Sequence, residues 1–259
     1  MALSSTRYHW RRCVASLCAV LFAACARQPV PPRTVAIAAA ADLKFAMQEI
    51  APAFHRAHPG LELQASFGSS GNFYAQIHNG APFDAFLSAD VQYPRMLLRD
   101  GIGKADSLFV YGVGRIVVWV PAASAMPAAG ALLDPAVKHI AIANPQHAPY
   151  GRAAEEALRS MGIYDKLKPK LVLGEDISQT FEFVESGAAD VGIVALSLAF
   201  APSAHGKYWE IPLDAYPRLD QAGLLLKDSP DTQALRAFLV SGEGRGILKK
   251  YGFYAGDSH

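Results

Sequence analysis

From residue 34 to residue 253, apolar runs of strand length alternate with amphipathic runs of helical spacing, and this alternation limits the fold more than any single motif. "TVAIAAA" (34–40) has the continuous apolar character of a strand covered on both faces. "LELQASF" (61–67) alternates with a period of two. "FDAFLSA" (83–89), "GRIVVWVP" (114–121), "HIAIANP" (139–145), "KLVLGED" (170–176), "DVGIVAL" (190–196) and "GLLL" (223–226) read as further strands. Helices are expected between them. Over 42–60, Leu43, Met47, Ile50 and Phe54 fall at helical spacing, Asp42 stands at the N-cap, Pro59-Gly60 stops the run, and Pro52 interrupts it. Phe73 and Ile77 mark a second helix, followed by 91–99 and 151–162. Asp176 to Gln179 has capping-box form and opens a helix over 177–186. The last helix runs over 232–253, with a glycine-marked break at 242–246. Strands that alternate with helices predict an α/β fold with mainly parallel sheets.

At 51% hydrophobic, the chain can bury one large core or two lobes. Its net charge of +1 gives no global field for nucleic acid or an anionic membrane, so an anion must be held by local groups. Arg7, Arg11 and Arg12 precede "CVASLCAVLFAA" (13–24), a stretch of signal-peptide length and too short to span a bilayer. Two cleavage readings stand. "LFAAC" resembles a lipobox, with Cys25 as the lipidated first residue of the mature chain, although Phe22 departs from the usual aliphatic residue. Ordinary cleavage after Ala24-Cys25-Ala26 is the other. All three cysteines, Cys13, Cys18 and Cys25, lie in or at the edge of this leader, so the mature chain is expected to carry no disulfide or thiolate. "RQPVPPR" (27–33) reads as a proline-stiffened tether.

In open α/β sheets, ligands bind at the carboxyl ends of strands. Four strand-to-helix junctions here share one character: "AAAADL" (38–43), "FGSSGN" (67–72), "NPQHAPYG" (144–151) and "GEDIS" (174–178). None contains Lys or Arg. Helix starts carry unpaired N–H groups and a partial positive charge, so several together make an anion site without a cation. Ser69, Ser70 and Tyr150 add hydroxyls. Taken singly, each feature has a plainer explanation. Serines after a strand are most often caps, Tyr150 suits a half-buried surface, and His55 and His58 sit on a solvated helix face. Asp84 and Asp90 lack metal-ligand spacing. "GSSGN" is not a nucleophile elbow, because Asn72 replaces the second glycine. No Gly-Lys-Ser/Thr follows it, which excludes a P-loop, and no basic surround supports an RNA clamp.

At these residues the chain resembles the molybdate-binding proteins of bacterial molybdate ABC transporters. The likeness runs over about 33–254, through "AAADLKFAMQEIAPAF", "SFGSSGNFYAQIHNGAPFDAFLSAD", "IAIANPQHAPYGRAAEEAL", "EDISQTFEFVESGAADVGIVALS" and "ILKKYGF". The resemblance implies a two-lobed type II periplasmic binding protein fold. Lobe one would be 33–112 with 224–259 and lobe two 113–223, with crossings near 112–118 and 221–226, after a signal peptide (1–24) and a tether (25–33). It implies a carrier of molybdate, with tungstate, that is not an enzyme and uses no cofactor. The carrier would be a periplasmic monomer, held to a membrane only through a lipid anchor, and would deliver its cargo to an inner-membrane permease. By resemblance the oxyanion is held by Asp42, next to Ala41, by Ser70 with Ser69 beside it, by Tyr150, and by the backbone at Ile177; no residue is a cation ligand. Two positions depart from the family pattern: Asp42 replaces a serine, threonine or asparagine, and Ala195 replaces a tyrosine for which Tyr150 substitutes. Asp42 is expected to cap its own helix and offer the ligand only its N–H. The alternatives are a sulfate or phosphate carrier and an exported hydrolase using Ser70.

Overall fold

A computed structural model describes residues 32–256. The leader read over 1–24, the lipidation candidate Cys25 and nearly all of the tether lie outside the described residues.

In the first half of the chain, β1 (Arg33–Ala40) runs through a 3-10 turn (Ala41–Leu43) into α1 (Lys44–Ala57). β2 (Leu61–Gly68) leads to α2 (Ser70–His78), β3 (Ala85–Ser88) to α3 (Gln92–Arg99), and β4 (Phe109–Gly114) follows. Then come β5 (Ile116–Pro121), β6 (Ile140–Ala143), α4 (Pro149–Ser160) and the single turn α5 (Tyr164–Leu167). β7 (Leu171–Gly174), α6 (Ile177–Glu185), β8 (Val191–Ala195), α7 (Leu196–Ala199) and β9 (Gly206–Glu210) continue the alternation. β10 (Leu219–Leu225), α8 (Pro230–Leu239) and α9 (Gly242–Lys250) complete it. Among the described residues, no helix is long and apolar enough to cross a membrane.

The strands form two five-stranded sheets, β2-β1-β3-β10-β4 and β7-β6-β8-β5-β9. Both are mixed. β1 runs parallel to β2 and β3, and β6 parallel to β7 and β8, because each intervening helix returns the chain to the same end of the sheet. β10 and β5 lie antiparallel to their neighbours, and both are strands by which the chain arrives from the other sheet. The first passage is Arg115, between β4 and β5. The second lies between Glu210 and Leu219, ahead of the 221–226 stretch expected for it, because β10 belongs wholly to the first sheet.

The central strands of the first sheet, β1, β3 and β10, are buried on both faces, and their side chains alternate between them with the period of a strand. Val35, Ile37 and Ala39 of β1, Leu87 of β3 and Leu225 of β10 face Ile50 and Phe54 of α1 and Phe238 of α8. Their neighbours Ala38, Phe86 and Leu224 face the opposite way, onto Phe73 of α2 and Leu97 of α3. Both faces being apolar explains why these strands read as continuous hydrophobic runs. The second sheet builds its own core around Trp119, Ile140, Ile142 and Ile193.

Two strands, β4 and β9, have no counterpart in the sequence reading. β9 is largely exposed, so its residues carry no apolar pattern to read. The helix expected over 232–253 is two helices. They part at Val240–Ser241 rather than at 242–246, because Ser241 caps α9, its Oγ accepting from the Gly244 N–H at 3.1 Å.

Candidate functional site

Parallel neighbours end at the same edge of a sheet, and that fact assembles the site. Ala40 at the end of β1 pairs with Gly68 at the end of β2, so the loops carrying Ala41–Asp42 and Ser69–Ser70 start side by side. In the second sheet Ala143 pairs with Gly174, which sets the starts of α4 and α6 side by side in the same way. The two pairs of helix starts meet. Ala41, Asp42, Ser69, Ser70, Tyr150 and Ile177 all line one small cavity of about 10 Å³, and no lysine or arginine lines it.

The local hydrogen bonds determine which donors remain for a ligand. Ser69 caps α2: its Oγ accepts from the Asn72 N–H at 3.3 Å and lies 2.9 Å from His147 Nδ1. Ser70 is fully buried, and its Oγ accepts from the Ala89 N–H at 2.9 Å, which leaves the hydroxyl proton to donate elsewhere. Asp176 caps α6 by accepting from the N–H groups of Ser178 and Gln179, at 2.8 and 2.9 Å, so the Ile177 N–H is not used by the cap. α4 opens at Ala148 without a side-chain cap; Pro149 has no N–H, and Tyr150 supplies the next first-turn donor.

Asp42 departs from its expected role. No side chain caps the 3-10 turn or α1, and the N-cap of the turn is Ala40. The Asp42 carboxyl is buried, at 1% exposure, and accepts at Oδ2 from the Tyr150 hydroxyl at 2.8 Å. A buried carboxyl must find a donor, and the tyrosine facing it from the second sheet supplies one. Tyr150 therefore spends its hydroxyl proton on Asp42, which leaves its backbone N–H as its other donor at the cavity. Gln221 Nε2 donates to Tyr150 at 3.2 Å, and Tyr111 donates to Gln221 Oε1 at 3.1 Å. Burial pushes the Asp42 carboxyl up to about 7, against the opposing pull of the Tyr150 hydroxyl, its own backbone N–H, the Gln221 amide and the Leu43 N–H. Asp42 Oδ1 is buried with no hydrogen-bond partner.

Other contacts tie the two walls together. Ser178 Oγ donates to the Ala41 carbonyl at 3.1 Å, and Ser197 Oγ to the Asp42 carbonyl at 2.8 Å. The Gly71 N–H donates to the His147 carbonyl at 2.9 Å. Only glycine allows that approach, because a Cβ at Gly71 would lie 2.5 Å from the same oxygen. Asn72 donates to Glu175 at 2.6 Å, Lys44 pairs with Glu182 at 3.1 Å, and Arg152 pairs with Asp90 at 2.9 Å. Ala195 ends β8, fully buried and outside the cavity lining. A larger cleft of about 680 Å³ adjoins the small cavity at Pro149 and holds Arg95, Arg152 and Arg218 among acids such as Asp90, Glu155 and Asp220. Its charges are of both signs, and Arg152 is already paired. Two helix starts reach this cleft, those of α3 and α4, whereas four reach the small cavity.

Sequence reasoning did not find Gln221, Tyr111, Ser178, Ser197 or Gly114. Gly114 is the hidden one: a Cβ there would collide with the Tyr150 hydroxyl and Gln221 Nε2. No local pattern marks any of these residues, because each acts on a partner far away in the chain.

Residues 35–254 match the family of bacterial extracellular solute-binding proteins. The chain is 39% identical to the molybdate-binding protein ModA of Rhodobacter capsulatus over 228 residues, covering 87% of this chain and 90% of that one. It is 31% identical to YvgL of Bacillus subtilis, a putative ABC transporter substrate-binding lipoprotein, over 86% of each chain. The solved periplasmic molybdate-binding protein of Azotobacter vinelandii superposes with a TM-score of 0.77 at 31% identity, covering 85% of this chain and 98% of that one.

The raised Asp42 carboxyl has a consequence for stability. Between its ordinary value of 3.8 and about 7, the folded chain holds a proton that the unfolded chain has released. That contribution is complete below the lower value and is lost as pH rises through the upper one. Urea unfolding at about pH 5 and about pH 8 should show wild type losing roughly 2 to 3 kcal/mol more than Asp42→Asn over that interval. Equal losses in the two proteins would contradict the assignment.

Proposed function

The chain belongs to the family of bacterial extracellular solute-binding proteins, and on that premise we propose that it captures molybdate, and tungstate with it, for an ABC transporter. The observation that carries this reading is the cation-free cavity at which four helix starts converge. Its donors are the Ser70 hydroxyl and N–H, the N–H groups of Ile177 and Tyr150, and the Ala41–Asp42 turn. Each hydrogen bond to a charged group contributes roughly 1.5–3 kcal/mol, so several preset donors offset the loss of the anion's water. Without a lysine or arginine the grip stays reversible, as delivery to a permease requires.

Selectivity follows from the same donors. The cavity of about 10 Å³ has room for little more than a water, so the walls part to admit an anion, and donors spaced around molybdate do not all reach the smaller sulfate at once. Monohydrogen phosphate brings a hydroxyl that needs an acceptor; the backbone N–H groups offer none, and Asp42 Oδ1 offers one only where its carboxyl is ionised. The two lobes follow the two sheets, and the hinge is Arg115 together with the segment between Glu210 and Leu219. Closure brings the walls together through the Ser69–His147 and Asn72–Glu175 contacts and presents a joined surface to the inner-membrane permease. The hydrolase alternative lacks support at Ser70: its Oγ is bonded to the Ala89 N–H, while the nearby histidine is bonded to Ser69. The protein acts as a monomer outside the cytoplasm, anchored by lipid at Cys25. Mass spectrometry of the mature N-terminus tests the anchor: a lipidated Cys25 is expected, and an unmodified Ala26 or later start would overturn it.

Calorimetric titration of the purified mature protein with molybdate, tungstate, sulfate and phosphate tests the carrier reading. Molybdate and tungstate should bind tightly and the other two weakly or not at all. Ser70→Ala should weaken molybdate binding about tenfold to a hundredfold, matching one charged hydrogen bond. Preference for sulfate or phosphate, or labelling of Ser70 by a fluorophosphonate, would overturn it.

A further inference from the structure

We propose that Asp42 meets the oxyanion as a neutral carboxylic acid, its Oδ1–H donating to an anion oxygen, so that capture brings one proton into the protein wherever the free carboxyl is ionised. The inference rests on the carrier reading and adds a role that the residue's position alone does not give.

The geometry supports it from three directions. First, Asp42 lines the cavity and is buried. Second, its two oxygens are unequal. Gln221 donates to Tyr150 and Tyr150 donates to Asp42 Oδ2, which makes that atom an acceptor; the single Tyr111 proton is shared between Gln221 Oε1 and the Ser88 carbonyl. Oδ1 is left buried with no partner. Third, an ionised carboxyl in this place is penalised twice: one oxygen is stripped of water without compensation, and a dianion lies beside it. Protonation at Oδ1 removes both penalties and turns the orphaned acceptor into a donor that fits a donor-only site. Burial already raises the carboxyl toward neutrality without a ligand.

Among the described residues the charged groups nearby are engaged elsewhere: Arg115 lies over the Tyr254 ring, Arg152 pairs with Asp90 at 2.9 Å, and His147 sits between Ser69 Oγ and Glu175. Lys44 on α1 is held by Glu182 at 3.1 Å, and Glu49 farther along α1 is held by Lys250 at 2.6 Å. On α6, Asp176 is used as a cap and Glu185 accepts from the Trp119 indole. α7 carries no titratable side chain, and Glu62 of β2 is exposed. From the far side Tyr150 and Tyr111 face the carboxyl, and burial raises both well above the ordinary tyrosine value, so they stay neutral. The proton comes from solvent as the cleft closes, resides on Oδ1, and returns to solvent when the cleft opens. The protein groups contact oxide oxygens, and none ligates the metal. Molybdate is a more basic dianion than sulfate, so it accepts this hydrogen bond more strongly, which adds a chemical preference to the steric one.

The test is calorimetry of molybdate binding across pH, repeated in buffers of different ionisation enthalpy, which counts protons directly. For wild type above about pH 7, Kd should rise about tenfold per pH unit, with close to one proton taken up per anion. Asp42→Asn carries an amide donor that does not titrate; its Kd should be flat with pH and its proton uptake zero. A flat wild-type profile without proton uptake, with molybdate still binding, would overturn this proposal and leave the carrier reading intact. A pH slope kept by Asp42→Asn would overturn it as well. If neither molybdate nor tungstate binds at any pH, the carrier reading falls and takes the proposal with it. The wild-type proton count decides the matter even if the variant fails to fold.

Discussion

The first N–H groups of a helix have no partner inside the helix, and the rest of this site follows from how four helices meet that constraint. α2 and α6 satisfy part of theirs with side-chain caps at Ser69 and Asp176. The 3-10 turn before α1 and the start of α4 have no side-chain cap at all. The donors that remain are brought to one place because parallel strands end at a common sheet edge, with Ala40 against Gly68 and Ala143 against Gly174. A positive site thereby arises mainly from backbone N–H groups, with the Ser70 hydroxyl beside them and no basic side chain in the lining.

The contacts across the cleft are polar, numerous and individually small. Serine hydroxyls from α6 and α7 donate to the carbonyls of Ala41 and Asp42, and the His147 carbonyl receives the Gly71 N–H. The charged pairs are partly exposed, so each contributes little to stability. Such an interface suits walls that must part and rejoin, because opening exposes polar groups that water satisfies. The network of Asp42, Tyr150, Gln221 and Tyr111 differs in kind. It is buried, directional and dependent on a glycine at 114 for its space, and it joins the two sheets through one carboxyl.

Much of this was legible in the sequence, and the failures have physical causes. Strands buried on both faces, such as β1 and β5, announced themselves by continuous apolar runs, whereas exposed β9 had no such pattern. The four junction loops were visible because helix starts have local chemistry: caps, glycines and the absence of cations. Asp42 was misread for the same reason. Locally it is a good N-cap, and only the hydroxyl of Tyr150, 108 residues away in sequence, shows that its side chain is used elsewhere. Gly114 and Gln221 were invisible, because the space one leaves and the bond the other makes exist only after both sheets have folded.

The central claim is that a cation-free cavity, not the larger charged cleft beside it, holds the anion. Crystals grown with tungstate test it most directly, since the tungsten position is given by its anomalous scattering. The account predicts a single strong peak between the two sheets, with the oxyanion within hydrogen-bond reach of Ser70 Oγ and the Ile177 N–H. A peak among Arg95, Arg152 and Arg218 in the neighbouring cleft, or no ordered tungsten at all, would contradict it.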